Sequence, residues 1–226
     1  MSTGFFITGT DTGIGKTWIT AGLLRAFARQ GYRTLGLKPV ASGCEMVAGE
    51  LRNEDALILM AHGTESLDYR QVNPCALELP VSPHLAAEAQ GAAVEIDRLA
   101  AHCLSTGEQA DVYLVEGVGG WLAPLSPRHT VADLAHALEL PVILVVGIRL
   151  GCLSHALLSY RVMQEEVDVA GWVANVVDPR CLMQEAVIAT LRDNLDIPCL
   201  GVIPNMTSLD AGLIANHLNV AALLSR

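Results

Sequence analysis

Lysine occurs at only two positions in this chain, Lys16 and Lys38, while twelve arginines meet every other need for positive charge. Both lysines follow apolar runs of strand length, a placement that asks for a compact ammonium rather than a planar fork. Lys16 closes the segment Gly9-Thr10-Asp11-Thr12-Gly13-Ile14-Gly15-Lys16-Thr17. Between a strand and a helix, such a glycine-containing turn aims backbone N–H groups at phosphates, and the helix N-terminus adds positive potential. Lys16 would then reach the terminal phosphates and Thr17 would ligate magnesium. The strict phosphate-loop spacing wants its first glycine at position 10, where this chain has Thr10, and Gly9 lies one residue early. Lys38 opens Lys38-Pro39-Val40-Ala41-Ser42-Gly43, a loop with a hydroxyl and an accessible N–H beside the ammonium, suited to a second anion. A third junction, Val112-Tyr113-Leu114-Val115-Glu116-Gly117-Val118-Gly119-Gly120, delivers Glu116 to a strand end before a glycine-rich loop, the place from which a carboxylate meets magnesium or its water shell. A second carboxylate comes from Arg52-Asn53-Glu54-Asp55, where chemistry alone allows Asp55 or Glu54.

The elements that must position these residues are legible as periodicity. Apolar runs at 5–8, 34–37, 112–115, 142–146, 170–174 and 200–203 are mostly apolar throughout, as strands buried on both faces are. Helix-period stretches cover 18–28, 96–104, 131–138, 153–162, 182–191 and 213–224. The alternation predicts an α/β fold, a doubly wound, mostly parallel sheet with right-handed crossovers, in one domain spanning residues 1–226. Residues 39–92, rich in Pro, Gly and short polar pieces, read as an elaborated connection between the second and third long strands. In such a sheet the ligand sits beyond the carboxyl ends of the strands, where the three junctions fall.

Composition narrows the ligand. A net charge of −10 opposes binding to nucleic acid or an anionic membrane, and a small molecule fits better. Hydrophobic residues at 51% with charged residues at 17% indicate a large core, too often interrupted for a membrane span. The six cysteines form no CxxC pair, and His129 and His136 lack zinc spacing. No basic, signal-like stretch precedes the first strand, so the expected compartment is the cytoplasm.

Taken together, GTDTGIGKT at 9–17, KPVASG at 38–43, RNEDA at 52–56, VNP at 72–74, SPH at 82–84, VEGVGGW at 115–121, PVILVVGIRLGC at 141–152 and GWVAN at 171–175 resemble the dethiobiotin synthetases, collinearly from about residue 4 to 205. The resemblance implies a phosphate-loop NTPase fold, ATP and magnesium as cofactors, and ring closure of 7,8-diaminononanoate with carbon dioxide in biotin synthesis. It implies catalytic roles for Lys16, Lys38, Thr12 and Ser42, with Thr17, Asp55 and Glu116 as metal ligands. ATP would also meet Gly13, Ile14, Gly15 and Trp18, then Gly117, Val118 and Gly119, and on the adenine side Asn175, Pro204, Asn205 and Met206. It further implies a homodimer in which Gly151, Cys152, Leu153 and Ser154 of one subunit hold the tail of a substrate that reacts at the other's loops. Three positions depart from the family pattern: Val176 replaces an Asp after Asn175, Asn205-Met206-Thr207-Ser208 replaces aromatic and acidic residues, and Ser154 stands where Asn is frequent. Rival readings are a cobyrinate-type amidotransferase, for whose extra glutaminase domain the chain has no room, and a partitioning-type switch ATPase, whose loop carries lysine where this chain has Asp11.

Overall fold

A computed structural model describes residues 2–224. In chain order the elements are β1 (Thr3–Gly9), α1 (Lys16–Arg29), β2 (Thr34–Leu37), β3 (Val40–Ser42), β4 (Glu45–Val47), β5 (Glu50–Arg52), α2 (Glu54–His62), α3 (Tyr69–Val72), β6 (Cys75–Leu77) and α4 (Pro83–Gln90). There follow α5 (Ile96–Gly107), β7 (Val112–Glu116), α6 (Val131–Leu138), β8 (Val142–Ile148), α7 (Cys152–Glu166), β9 (Val169–Val176), α8 (Gln184–Asn194), β10 (Cys199–Ile203), α9 (Ala211–Asn216) and α10 (Ala221–Leu224). Six strands form one sheet in the order β10-β9-β8-β1-β7-β2, every pair parallel. After β7 the chain crosses β1 to build the other half, so β1 lies where the strand order reverses and its following loop opens onto the crevice.

Alternation along the strands divides the core. Phe5 and Ile7 of β1 and Leu114 of β7 face α1 and α9, packing with Ile19, Leu23, Phe27 and Ile214. Phe6, Val115 and Trp172 face the opposite layer, built from α5 to α8, with Leu99, Leu134, Ala156 and Leu191. All five residues of β7 are buried, and so are all seven of β8, as their continuous apolar runs require. A reciprocal capping box starts α6: Asp133 accepts from the Thr130 N–H at 2.6 Å, and the Thr130 side chain caps the third helical N–H.

Two stretches differ from the sequence reading. The expected helix over 213–224 is two short ones, α9 and α10, because Leu218 bridges to Gly201 and the Asn219 N–H donates to Leu200 O at 2.7 Å. Those bonds cover backbone on the edge strand β10 that a continuous helix would leave unpaired. The connection over 39–92 is also more structured than expected. It holds the parallel pair β3–β6, helices α2 to α4, and a β4–β5 hairpin turned by Ala48 and Gly49, both left-handed at φ 51° and 85°. Among the described residues no helix is long and apolar enough to cross a membrane.

Candidate active site

Register brings the charged residues together. Leu37 of β2 pairs with Val115 of β7, so the next residue along each strand, Lys38 and Glu116, fall side by side. Because Val115 faces the α5–α8 layer, Glu116 turns to the α1 face, where Thr17 starts the helix. The Thr17 hydroxyl donates to Glu116 Oε1 at 2.7 Å, and Lys38 Nζ donates to the same oxygen at 2.7 Å. Lys38 also pairs with Asp55 Oδ2 at 2.9 Å and donates to Gly117 O at 3.2 Å. Asp55, in the first turn of α2, is thereby placed in the cluster, whereas its neighbour Glu54 is exposed at the surface.

Glu116 and Lys38 are almost wholly shielded, at 0% and 3% exposure. A buried pair of this kind is weak as a net stabiliser but costly to break from one side, by about 3–5 kcal/mol. Burial pulls the Lys38 ammonium down, yet Glu116 and Asp55 outweigh it and hold the group above its ordinary value. Burial pushes Asp55 up, and the Lys38 charge overcomes it and leaves the carboxyl below the usual range. Lys16 has no carboxylate of its own: burial, then repulsion from Lys38, lowers it to about 8. Its ammonium donates to two backbone carbonyls, Asp11 O at 2.9 Å and Gly119 O at 2.6 Å.

The loop between β1 and α1 takes its shape from two glycines. Gly13 (φ 71°) and Gly15 (φ 83°) lie in the left-handed region, which lets the loop turn tightly and start α1 at Lys16. Gly15 also passes close to Asn175: a Cβ there would lie 2.3 Å from Asn175 Nδ2. Asn175 donates to Ile14 O at 2.8 Å and thereby ties β9 to the loop. Asn205 makes a similar tie, donating to Val176 O at 3.0 Å.

A cleft of about 480 Å³ opens over these strand ends. Thr12, Gly13, Gly15, Lys16, Thr17 and Trp18 line it from the loop and α1. Lys38, Ser42, Asp55, Glu116, Val118 and Gly119 line it as well, and so do Asn175, Asn205 and Met206. Ile14 instead buries its side chain in the core, Gly117 reaches the site through its carbonyl, and Pro204 stays outside the cleft. Gly151, Cys152, Leu153 and Ser154 do not join it; Cys152 is buried, whereas Gly151 and Ser154 are exposed at the start of α7.

Sequence reasoning missed two contributors. Val177 lines the cleft beside Asn175, and Arg149 forms an ion pair with Asp11, whose other oxygen accepts the Thr12 N–H at 2.7 Å. The one available signal was a charged residue directly after an apolar strand.

The donor set fits a magnesium ion. Thr17, Asp55 and Glu116 offer only hard oxygens, and Glu116 Oε2 is buried with no partner among the described residues. Two carboxylates and a hydroxyl are too few for an all-protein cage, which suits an ion that keeps waters and shares phosphate oxygens.

A parallel sheet with a phosphate-binding loop at its switch point defines the phosphate-loop NTPase class. Solved structures bear out that fold. MinD of Pyrococcus horikoshii, a septum site-determining protein complexed with Mg-ADP, aligns at TM-score 0.56 and 18% identity over 100% of this chain and 90% of its own. The signal recognition particle receptor FtsY of Elizabethkingia anophelis with GDP aligns at 0.59 and 13% identity, over 94% of this chain and 59% of its own. At these identities the likeness is one of fold alone. A family model described as an AAA domain matches residues 3–212. The ATP-dependent dethiobiotin synthetase BioD of Cellvibrio japonicus is 49% identical over 97% of both chains. That of Pseudomonas aeruginosa is likewise 49% identical over 97% of both, and that of Yersinia pestis is 46% identical over 99% of this chain and 94% of its own. The chain belongs to the dethiobiotin synthetase family and is an ATP-dependent enzyme of that family.

Proposed function

We propose that the protein closes a cyclic urea on 7,8-diaminononanoate with carbon dioxide, spending ATP to ADP and phosphate and using magnesium, as a step in biotin synthesis. The observation that carries the reading is the convergence of both lysines and two carboxylates on one cleft at the strand ends, in a chain of this family. One amine takes up carbon dioxide as a carbamate. A carbamate oxygen attacks the γ-phosphorus and ADP leaves with the bridging electron pair; the second amine then attacks the carbonyl carbon of the mixed anhydride, loses a proton and expels phosphate. The ring gains two C–N bonds without any covalent enzyme intermediate.

Every participant in the phosphoryl step is an anion, so the site must supply positive charge and alignment more than a nucleophile. Lys16, at the start of α1, faces the transferring phosphoryl group together with the loop N–H groups. Lys38 balances the carbamate, while Thr12 and Ser42 hydrogen-bond the anions between them. Magnesium, held by Thr17, Asp55 and Glu116, would neutralise charge on the β- and γ-phosphates. Asn175, Asn205 and Met206 would take the base. The decisive experiment is mass spectrometry of the product formed from ATP, bicarbonate and 7,8-diaminononanoate; phosphate release without dethiobiotin would reject the reading.

We also propose a homodimer whose sites are shared. Large apolar side chains are exposed just before and along α7, where Leu150 is 97% exposed and Leu158 65%, and just before α8, at Leu182 and Met183. Such a surface suits a second copy better than water. On this reading the N-terminus of α7, with Gly151 ahead of it, would receive the substrate's tail carboxylate from the other subunit's site. The place of action is the cytoplasm, where ATP is spent and six unpaired thiols persist.

A further inference from the structure

The two carboxylates of the cleft already have a cation from the chain itself. The Lys38 ammonium has three protons and three close acceptors: Glu116 Oε1 at 2.7 Å, Asp55 Oδ2 at 2.9 Å and Gly117 O at 3.2 Å. A divalent ion bound to Asp55 and Glu116 at about 2.0–2.1 Å must use the same two carboxylates, through these oxygens or through the ones that share their carboxyl carbons. The second Glu116 oxygen, buried and without a partner among the described residues, shares its carboxyl carbon with the oxygen the ammonium holds, so an ion seated on it lies close against that ammonium. Two like charges a few ångströms apart, out of water, repel strongly. Ammonium and metal are therefore alternative counter-ions for one carboxylate pair.

The exchange can be confined to the side chain. The Lys38 backbone is pinned on both sides: its N–H donates to Val72 O at 2.9 Å and its carbonyl accepts from Asn73 Nδ2 at 2.6 Å. Four flexible methylenes lie between that anchor and the charge. From these contacts we infer that Lys38 is an internal counter-ion that keeps magnesium off Asp55 and Glu116 until nucleotide phosphates give the ammonium another partner. Metal then enters with the nucleotide and not ahead of it, and the same event turns Lys38 toward the reacting anions. The inference rests on the proposed function in taking the cleft as a magnesium-nucleotide site.

The test uses Mn²⁺ as probe and the whole chain without nucleotide, with free Mn²⁺ followed by electron paramagnetic resonance. Lys38→Met keeps the length of the side chain and removes its charge, so the variant should bind Mn²⁺ about tenfold more tightly or better than wild type. Equal or weaker binding by the folded variant overturns the inference. If the variant does not fold, wild-type protein labelled with ¹⁵N-lysine decides, since two lysines give two ammonium resonances. Mn²⁺ alone should leave the Lys38 resonance unbroadened, and Mg²⁺ with a non-hydrolysable ATP analogue should shift it. Broadening by Mn²⁺ alone, or no shift with the analogue, overturns the inference equally. The product assay on wild type separates the two readings: failure to form dethiobiotin rejects the function, while the Mn²⁺ ranking and the lysine resonances speak only to Lys38.

Discussion

Lys16 and Lys38 carry the same charge but have opposite electrostatic surroundings, and their substitutions should behave differently. Lys38 is enclosed by two carboxylates and a carbonyl in a space shaped for a point charge, so Lys38→Arg should lose most of kcat although the charge is kept. Retention of most turnover in a folded Lys38→Arg protein would refute that account. Lys16, lowered to about 8 chiefly by burial, should titrate around that pH. On the proposed function its charged form is the one that would meet phosphates, so affinity for a non-hydrolysable ATP analogue should fall as pH rises through about 8, and a Lys16→Arg protein should lack that alkaline limb. The sign for folding is the reverse: a lysine lowered in the folded state costs stability below about 8 and relieves that cost as pH rises toward its unfolded value. A third expectation concerns the metal. Asp55→Asn and Glu116→Gln should each raise the magnesium concentration for half-maximal rate, and Glu54→Gln should do so much less, because only Asp55 reaches the cluster. The opposite ranking in a magnesium titration would move the second ligand to Glu54.

At the scale of the element, the loop before α1 owes its shape to two glycines that a substitution can tell apart. Gly13 needs only its left-handed φ and has open space around it, so Gly13→Ala should cost about 1–2 kcal/mol. Gly15→Ala adds a collision with the Asn175 amide, which must then release Ile14 O, so its denaturation midpoint should be clearly lower and its nucleotide binding more impaired. Equal losses in the two variants would mean that the Asn175 tie holds nothing in place. Features of this kind mark the boundary of what the sequence discloses. The strands of the sheet, the loop, Lys38 and Glu116 are legible because each rests on local pattern: an apolar run, a glycine turn, a charge at a strand end. From local pattern alone the choice of Asp55 over Glu54 was not, since it depends on how α2 meets Lys38; the family resemblance supplied it. Nor was the pair Arg149–Asp11, which joins residues 138 apart. The β4–β5 hairpin escaped because its turn uses Ala48 at positive φ, where sequence rules look for Asn or Gly. The break between α9 and α10 escaped because helical periodicity runs through it, and only the open edge of β10 decides the matter.

At the scale of the whole molecule, parallel register gathers the loops after β1, β2, β7, β9 and β10 into one cleft, while the segment from Leu150 to Ser154 lies apart from it at the exposed start of α7. A substrate with two amines at one end and a carboxylate at the other spans more than a phosphate-loop pocket needs to hold. If a second copy covers the exposed apolar groups around α7, its α7 N-terminus can supply the missing end of the site. Complementation tests this directly. Lys38→Ala removes the charge at the reacting end, and Gly151→Trp blocks the tail end at a position with open space around it but a left-handed φ of 92°, so with folding of both variants verified each homodimer should be nearly inactive. In a mixed dimer with shared sites, one site carries both defects and the other carries neither. Random exchange of equal amounts makes half the dimers mixed with one intact site each, so activity should recover to about a quarter of wild type. If mixed dimers form, as shown by differently tagged subunits, and activity stays at the level of the parents, each subunit catalyses alone and the apolar surface of α7 serves assembly without contributing to the site.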